Sequence, residues 1–361
     1  MTLAAAPVVG VLLDRHILRR GVRGLRTFER LEYYVEAAKE LEIDIVFFDL
    51  GGVRLKERKV AAFAPEGDGT FRRKIVPLPP VVHKRSLYRE RSATSAARHL
   101  SRLGVHVFNP EVRWDKYRID RMLRRDPELR RYLPDAAPLS SNGYAWFRSR
   151  LLEGTEVFVK PRKGSLGLGI ARVVPAGKGR FRVETAAGSR TTSLAGAWKR
   201  VRKGRRNHYL QAGIRLLEED GRRIDLRVPV QRDGSGAWRV PGMAAKRAER
   251  HAFLTNVARG GSVHVPRELL ERLLGRGAAA AVTAEIERMA VRVAEAIAAR
   301  FPGMADLGLD VGIDRRGRPF LIEVNRRDLR ITMGLSGQVD VHRALYRNPL
   351  AYACHLLRAR A

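Results

Sequence analysis

Residues 308–325 constrain this chain more than any other stretch. They read as two strands joined by a turn. The first ends near Ile313, Asp314 and Gly317 bound the turn, and the second runs from Pro319 to Asn325. Side chains alternate along a strand, so Glu323 and Asn325, two apart, share a face. Asp310 on the first strand can lie across from them. Two carboxylates and an amide oxygen on one face make a set of hard oxygen ligands, suited to Mg²⁺ that also holds nucleotide phosphates. The same residue types serve equally as the solvated face of an ordinary hairpin.

A second stretch narrows the choice. Val157, Phe158 and Val159 are a β-favouring run, Lys160 ends it, and Pro161 stops the ladder. Gly164, Ser165, Gly167 and Gly169 follow, before another apolar run near 170–174. These glycines let the backbone approach a ligand closely and point several N–H groups at one anion. Lys160 stands where its ammonium reaches a phosphate. A strand, not a helix, follows the loop, and the spacing differs from that of a P-loop or a dinucleotide fingerprint. Alone, the loop also fits a flexible hairpin.

Together and in this order, the two stretches resemble the ATP-grasp fold. In that fold a lysine and a glycine-rich loop on a small sheet domain close over ATP. A later Asp…Glu-x-Asn set on a larger domain holds Mg²⁺. Further segments fit. Residues 114–123 resemble the helix that opens many such modules, which implies Lys116 as the first nucleotide-binding lysine. Residues 209–214 resemble the linker whose backbone meets adenine, with Gln211, Gly213 and Ile214 implied there. Asp225, Leu226, Arg227 and Val228 match a D-x-R-V strand. Lys246, Arg247 and Ala248, then Thr255 and Asn256, then Gly260 and Gly261, resemble an R…TN…GG segment seen also in ribosomal-protein glutamate ligases.

More narrowly, the chain resembles the YheC/YheD endospore coat-associated branch over nearly its whole length. The pieces are the opening 8–12, residues 158–161 with Gly164 and Ser165, residues 225–228 with Gln231, and Trp238 before Gly242. The resemblance implies Lys116 and Lys160 on phosphates, and Asp310, Glu323 and Asn325 on Mg²⁺. Arg227 and Arg247 are implied on the transferred phosphoryl group, with Asn256 positioning phosphate or substrate. One departure stands out. Many ligases of this fold follow the Glu-x-Asn with a small residue, Pro and Gly, whereas Arg326, Arg327, Asp328, Leu329 and Arg330 follow here. These arginines are expected where an anionic substrate approaches.

Composition bounds the rest. A length of 361 residues allows two or three domains, and 45% hydrophobic content supports real cores. The single cysteine, Cys354, excludes a disulfide framework and a cysteine-based zinc site. No apolar run is long enough to cross a bilayer. Residues 2–13 lack a basic leader and read as a buried strand, so a cytoplasmic chain is expected, with spore-coat association implied by the family. The net charge of +32 admits three readings: arginine bias on solvated faces, an acidic macromolecular partner, or nucleic acid. The basic runs lack interleaved aromatics for base stacking, so no specific nucleic-acid partner is expected.

Strand and helix alternate up to Phe108, which predicts a doubly wound N-terminal α/β domain over 1–108. An α/β fold of α+β lobes follows: a small lobe with the opening helix and glycine loop over 109–207, and a large lobe over 208–361. Residues 267–301 should be largely helical, residues 341–347 a short turn, and Pro349 should restart the chain as a final helix. The expected activity is ADP-forming ligation of a carboxylate to an amine. Two rivals remain: a coat protein that binds ATP without turnover, and a polyanion-binding module.

Overall fold

The computed structural model describes residues 7–86, 98–110, 114–140, 142–164, 167–250, 255 and 260–359. Ser165 and Asn256 lie outside the described residues. Three sheets organise the molecule.

The first sheet is N-terminal. Val8–Leu12 pairs in parallel with Asp44–Phe48 on one side and with Val81–Lys84 on the other, and His106–Phe108 extends the parallel set. Near-continuous apolar runs such as Ile45, Val46, Phe47 and Phe48 suit strands buried on both faces. One face packs Val9, Val11, Ile45 and Phe47 against the helix Leu31–Glu40. The other packs Leu12, Val46, Phe48 and Val82 against Leu100, Val105 and Val107. An antiparallel meander, Val53–Arg54, Lys59–Pro65 and Phe71–Pro77, extends one edge.

The second sheet is antiparallel, with Val157–Pro161 between Ala171–Pro175 and His208–Ala212. Period-two alternation sends Val157, Val159, Val173, Phe181 and Val183 into a core closed by Phe147 and Leu151 of the helix Gly143–Leu152 and by Ala197 and Val201 of Leu194–Arg202. Lys160 and Gln211 keep the opposite face. Strands Ala136–Pro138 and Gly188–Thr192 complete the edges. Neither carries an apolar pattern, so neither is legible in sequence.

The third sheet runs Ser262–His264, Ala244–Arg247, Arg222–Arg232, Asp306–Ile313, Pro319–Asn325. Leu226, Val228, Leu307, Leu309 and Val311 face the helices Pro266–Leu274 and Arg276–Arg300. Gly275, at φ +82°, separates those two helices, a backbone region that glycine enters without Cβ strain.

The C-terminus differs from expectation. Val339–Arg358 is one helix with Pro349 inside it. Proline removes the N–H that would bond the carbonyl of Leu345. Fully buried Gln231 supplies the missing donor: its Nε2 donates to the Leu345 carbonyl at 3.0 Å. This helix also buries Leu345, Tyr346 and Leu350 in the same core as Val9, Val11 and Tyr34, so the two ends of the chain share one core.

Candidate functional site

The polar face of the third sheet is built by register. Asp310 lies opposite Glu323, Gly308 opposite Asn325, Arg227 opposite Asp310, and Asp225 opposite Lys246. A β-bulge between Asp310 and Val311 shifts the hairpin pairing. Without it, Leu321 would share the face of Glu323 and Asn325. With it, both Leu321 and Val324 reach the apolar core while Glu323 and Asn325 stay on the polar face.

Charge fills this face densely. Asp310 takes Lys246 Nζ at 2.8 Å, Arg227 Nη1 at 3.2 Å and Asn325 Nδ2 at 2.9 Å. Lys246 also reaches Asp225 at 2.9 Å, and Arg227 Nε donates to Asp328 at 2.8 Å. Thr255 Oγ1 donates to Asp225. Burial opposes ionisation of Asp310, but Lys246 and Arg227 outweigh it and hold the carboxyl well below its usual range. Burial alone would depress Lys246, yet Asp225 and Asp310 override it and raise the ammonium.

The small lobe and opening helix face this surface. Asp115 caps the helix Lys116–Leu123 by accepting from the backbone N–H groups of Tyr117 and Arg118. Asp115 also pairs with Arg162 at 2.7 Å, and Lys116 N donates to the Arg162 carbonyl at 2.9 Å, which ties the helix to the end of the Lys160 strand. Lys116 Nζ meets Glu323 at 2.9 Å across the cleft. Lys160 donates to Gln211 Oε1. Burial pushes the Lys160 ammonium down to about 8, Glu323 partly offsets this, and Lys116 adds repulsion. Lys116, Asp120, Gln211, Tyr209, Ile322 and Glu323 line the cleft between the lobes. Gly213 and Ile214 line a wider adjoining cavity bounded by Arg215, Arg316 and Phe320. Gly164, Gly167 and Gly169 all hold positive φ, at +134°, +68° and +77°, so the loop adopts a backbone that side chains resist.

Lys116, Lys160, Gln211, Arg227, Asp310, Glu323 and Asn325 therefore converge. Arg247 does not join them. Its strand presents Lys246 to the polar face, while Arg247 pairs with Glu219 at 2.7 Å and donates to Ser262. Alternation puts 246 and 247 on opposite faces, and the pairing opposite Asp225 selects 246 for the polar one. Two of the arginines after Asn325, Arg327 and Arg330, also differ from expectation. Arg330 is fully buried, pairs with Asp306 at 3.2 Å and lies over the Tyr346 ring. Arg327 is largely buried, donates to the Arg85 carbonyl and lies 3.6 Å from Asp14. They fasten the large lobe to the N-terminal sheet instead of facing solvent.

Among the described residues no three His, Cys, Asp or Glu side chains converge as a metal nest. The donor set is two carboxylates and an amide, with Lys116 and Lys246 standing at the carboxylates. That set fits a hard divalent cation that keeps phosphate and water ligands. No helix among the described residues is long and apolar enough to cross a membrane.

A model of the YheC/D-like ATP-grasp family matches residues 104–356. The endospore coat-associated protein YheD of Bacillus subtilis is 24% identical over 311 residues, covering 79% of this chain and 65% of YheD. The chain thus spans slightly under two thirds of that relative's length. Among solved structures, the D-cycloserine synthetase DcsG superposes with a TM-score of 0.53 at 13% identity, covering 96% of this chain and 99% of DcsG. The D-alanine–D-alanine ligase of Coxiella burnetii gives 0.50 at 14% identity, covering 98% and 97%. These likenesses establish the fold.

Proposed function

The chain belongs to the YheC/D-like ATP-grasp family, and on that premise we propose that it is an ATP- and Mg²⁺-dependent ligase joining a carboxylate to an amine. The supporting observation is the facing of four cations, Lys116, Lys160, Lys246 and Arg227, with Asp310, Glu323 and Asn325 across one cleft. Such a surface can hold a triphosphate beside a carboxylate and stabilise charge that develops in transfer. Lys160 and Lys116 hold the phosphates nearest the loop. Lys246 and Arg227, fixed by Asp310, Asp225 and Asp328, meet the transferred phosphoryl group. Asp310, Glu323 and Asn325 would hold Mg²⁺, which when bound would supply charge neutralisation for the phosphates.

The reaction is acyl phosphate formation followed by aminolysis. A substrate carboxylate oxygen attacks the terminal phosphorus and ADP leaves. A neutral amine then attacks the acyl carbon, the carbon–oxygen bond to phosphate breaks, and the proton lost from nitrogen leaves with the phosphate. The name of YheD supports a spore-coat setting. The test incubates the chain with ATP, Mg²⁺ and pooled amino acids and peptides, and looks by mass spectrometry for products one water lighter than their parts. Glu323→Gln should abolish product while ATP still binds, because a displaced ion costs the transition state more than the ground state. ATP binding without ADP release under any acceptor would favour the non-catalytic coat-protein reading.

A further inference from the structure

The net charge is not evenly spread. Residues 136–212, the second sheet with its helices, contain sixteen Lys and Arg against three acidic residues, Glu153, Glu156 and Glu184. The other residues hold fifty-four basic against thirty-five acidic. Residues 69–110 are thinned of acids as well, with nine Lys and Arg against Glu90, so composition alone does not single out this lobe; the placement of its unpaired cations does.

The structure strengthens the point. All three acids are already paired: Glu153 with Arg150 at 2.8 Å, Glu156 with Arg223 at 3.0 Å and with Arg172, and Glu184 with Arg182 at 2.7 Å. Among the described residues, Lys163, Lys199, Arg200, Lys203 and Arg206 are exposed and meet no carboxylate. Four of these lie within residues 199–206, where six of eight residues are basic. The segment closes the helix Leu194–Arg202, whose C-terminal carbonyls accept from Arg205 at 3.2 Å. The turn then abuts the glycine loop. The Asn207 carbonyl accepts from Arg162 N at 2.9 Å, and His208 pairs opposite Pro161. An unneutralised basic track therefore runs from the helix end to the lip of the phosphate loop.

We propose that this track docks an acidic polypeptide and delivers one of its carboxylates to the cleft. The proposal rests on the ligase reading for the fate of that carboxylate, but not for docking. Two observations favour an acidic peptide over nucleic acid. No aromatic side chain of the lobe is exposed among the described residues for bases to stack on; Trp198 packs against Phe147 and lies under Arg202. A carboxylate-bearing chain also supplies both the anchor and the reacting group.

The test is fluorescence anisotropy of a fluorescein-labelled ten-residue oligoglutamate, without ATP, at 50 and 150 mM salt. The variant Lys199→Gln/Arg200→Gln/Lys203→Gln/Arg206→Gln should bind at least tenfold more weakly than wild type, with ATP affinity unchanged. A matched control, Arg267→Gln/Arg276→Gln/Arg288→Gln/Arg300→Gln on the far helices, should bind as wild type. Equal weakening in the control would reduce the effect to net charge and overturn the proposal. So would a track variant that binds like wild type, or a ten-nucleotide oligothymidylate that binds more tightly and depends on the same four residues. Peptide docking with no ligated product would leave the track standing and sink the ligase reading. Ligation unaffected by the track variant would do the reverse.

Discussion

Lys160 shows how one side chain couples fold to chemistry. It ends an apolar strand, so the sheet that buries Val157 and Val159 also desolvates its ammonium. With its ionisation held near 8, it is only partly charged just above neutrality. A phosphate partner favours the charged form, so nucleotide binding should take up a proton around that pH. ATP affinity should fall as pH rises from 8 to 9, by about fivefold, because the depressed lysine loses its proton. Lys160→Ala should lose roughly 1.5–3 kcal/mol of binding and flatten the profile. Calorimetry in buffers of different ionisation enthalpy checks both. A wild-type profile flat across this range would remove Lys160 from the phosphates.

At the scale of elements, the final helix depends on a residue from another part of the chain. Gln231 satisfies the carbonyl that Pro349 leaves without a donor. Gln231→Ala should cost about 1–3 kcal/mol, the penalty of a buried unsatisfied group. Pro349→Ala returns a backbone N–H to that carbonyl, so the double variant should lose less than the two single costs together. Urea unfolding of the four proteins measures the coupling, and strict additivity would show that the two residues act separately. The hairpin bulge is a second long-range decision. One extra residue lets Leu321 and Val324 share the core while Glu323 and Asn325 share the site.

At the scale of the molecule, a buried ionic cluster joins N-terminal and C-terminal parts. Arg85 bonds Glu29 at 2.8 Å and Asp306 at 2.8 Å, and Arg330 reaches Asp306 and the Tyr34 hydroxyl. All four charged side chains are fully buried. Arg330→Met should destabilise by about 3–5 kcal/mol, because it strands carboxylate charge out of water. Adding Glu29→Gln should recover part of the loss by removing that charge. Denaturant midpoints test this, and a double variant weaker than Arg330→Met would contradict it. Because the final helix shares the core of the first sheet, these parts should unfold together.

Sequence alone carried the local decisions. The β-favouring run Val157, Phe158 and Val159 sets a strand and leaves Lys160 at its end. The Asp310 and Glu-x-Asn pattern placed three polar side chains on facing strands, and the ATP-grasp resemblance followed from their order. These features depend on period and spacing, which neighbours in sequence determine. Tertiary structure decided what needed a partner far away. Lys246 rather than Arg247 faces the site because register against Asp225 selects it. Arg330 is a buried tie rather than a substrate contact because Glu29 and Asp306 come to it from distant segments. Pro349 sits inside a helix because Gln231 reaches its orphaned carbonyl. A residue's type and spacing state what bonds it needs; only the folded chain determines which distant group supplies them.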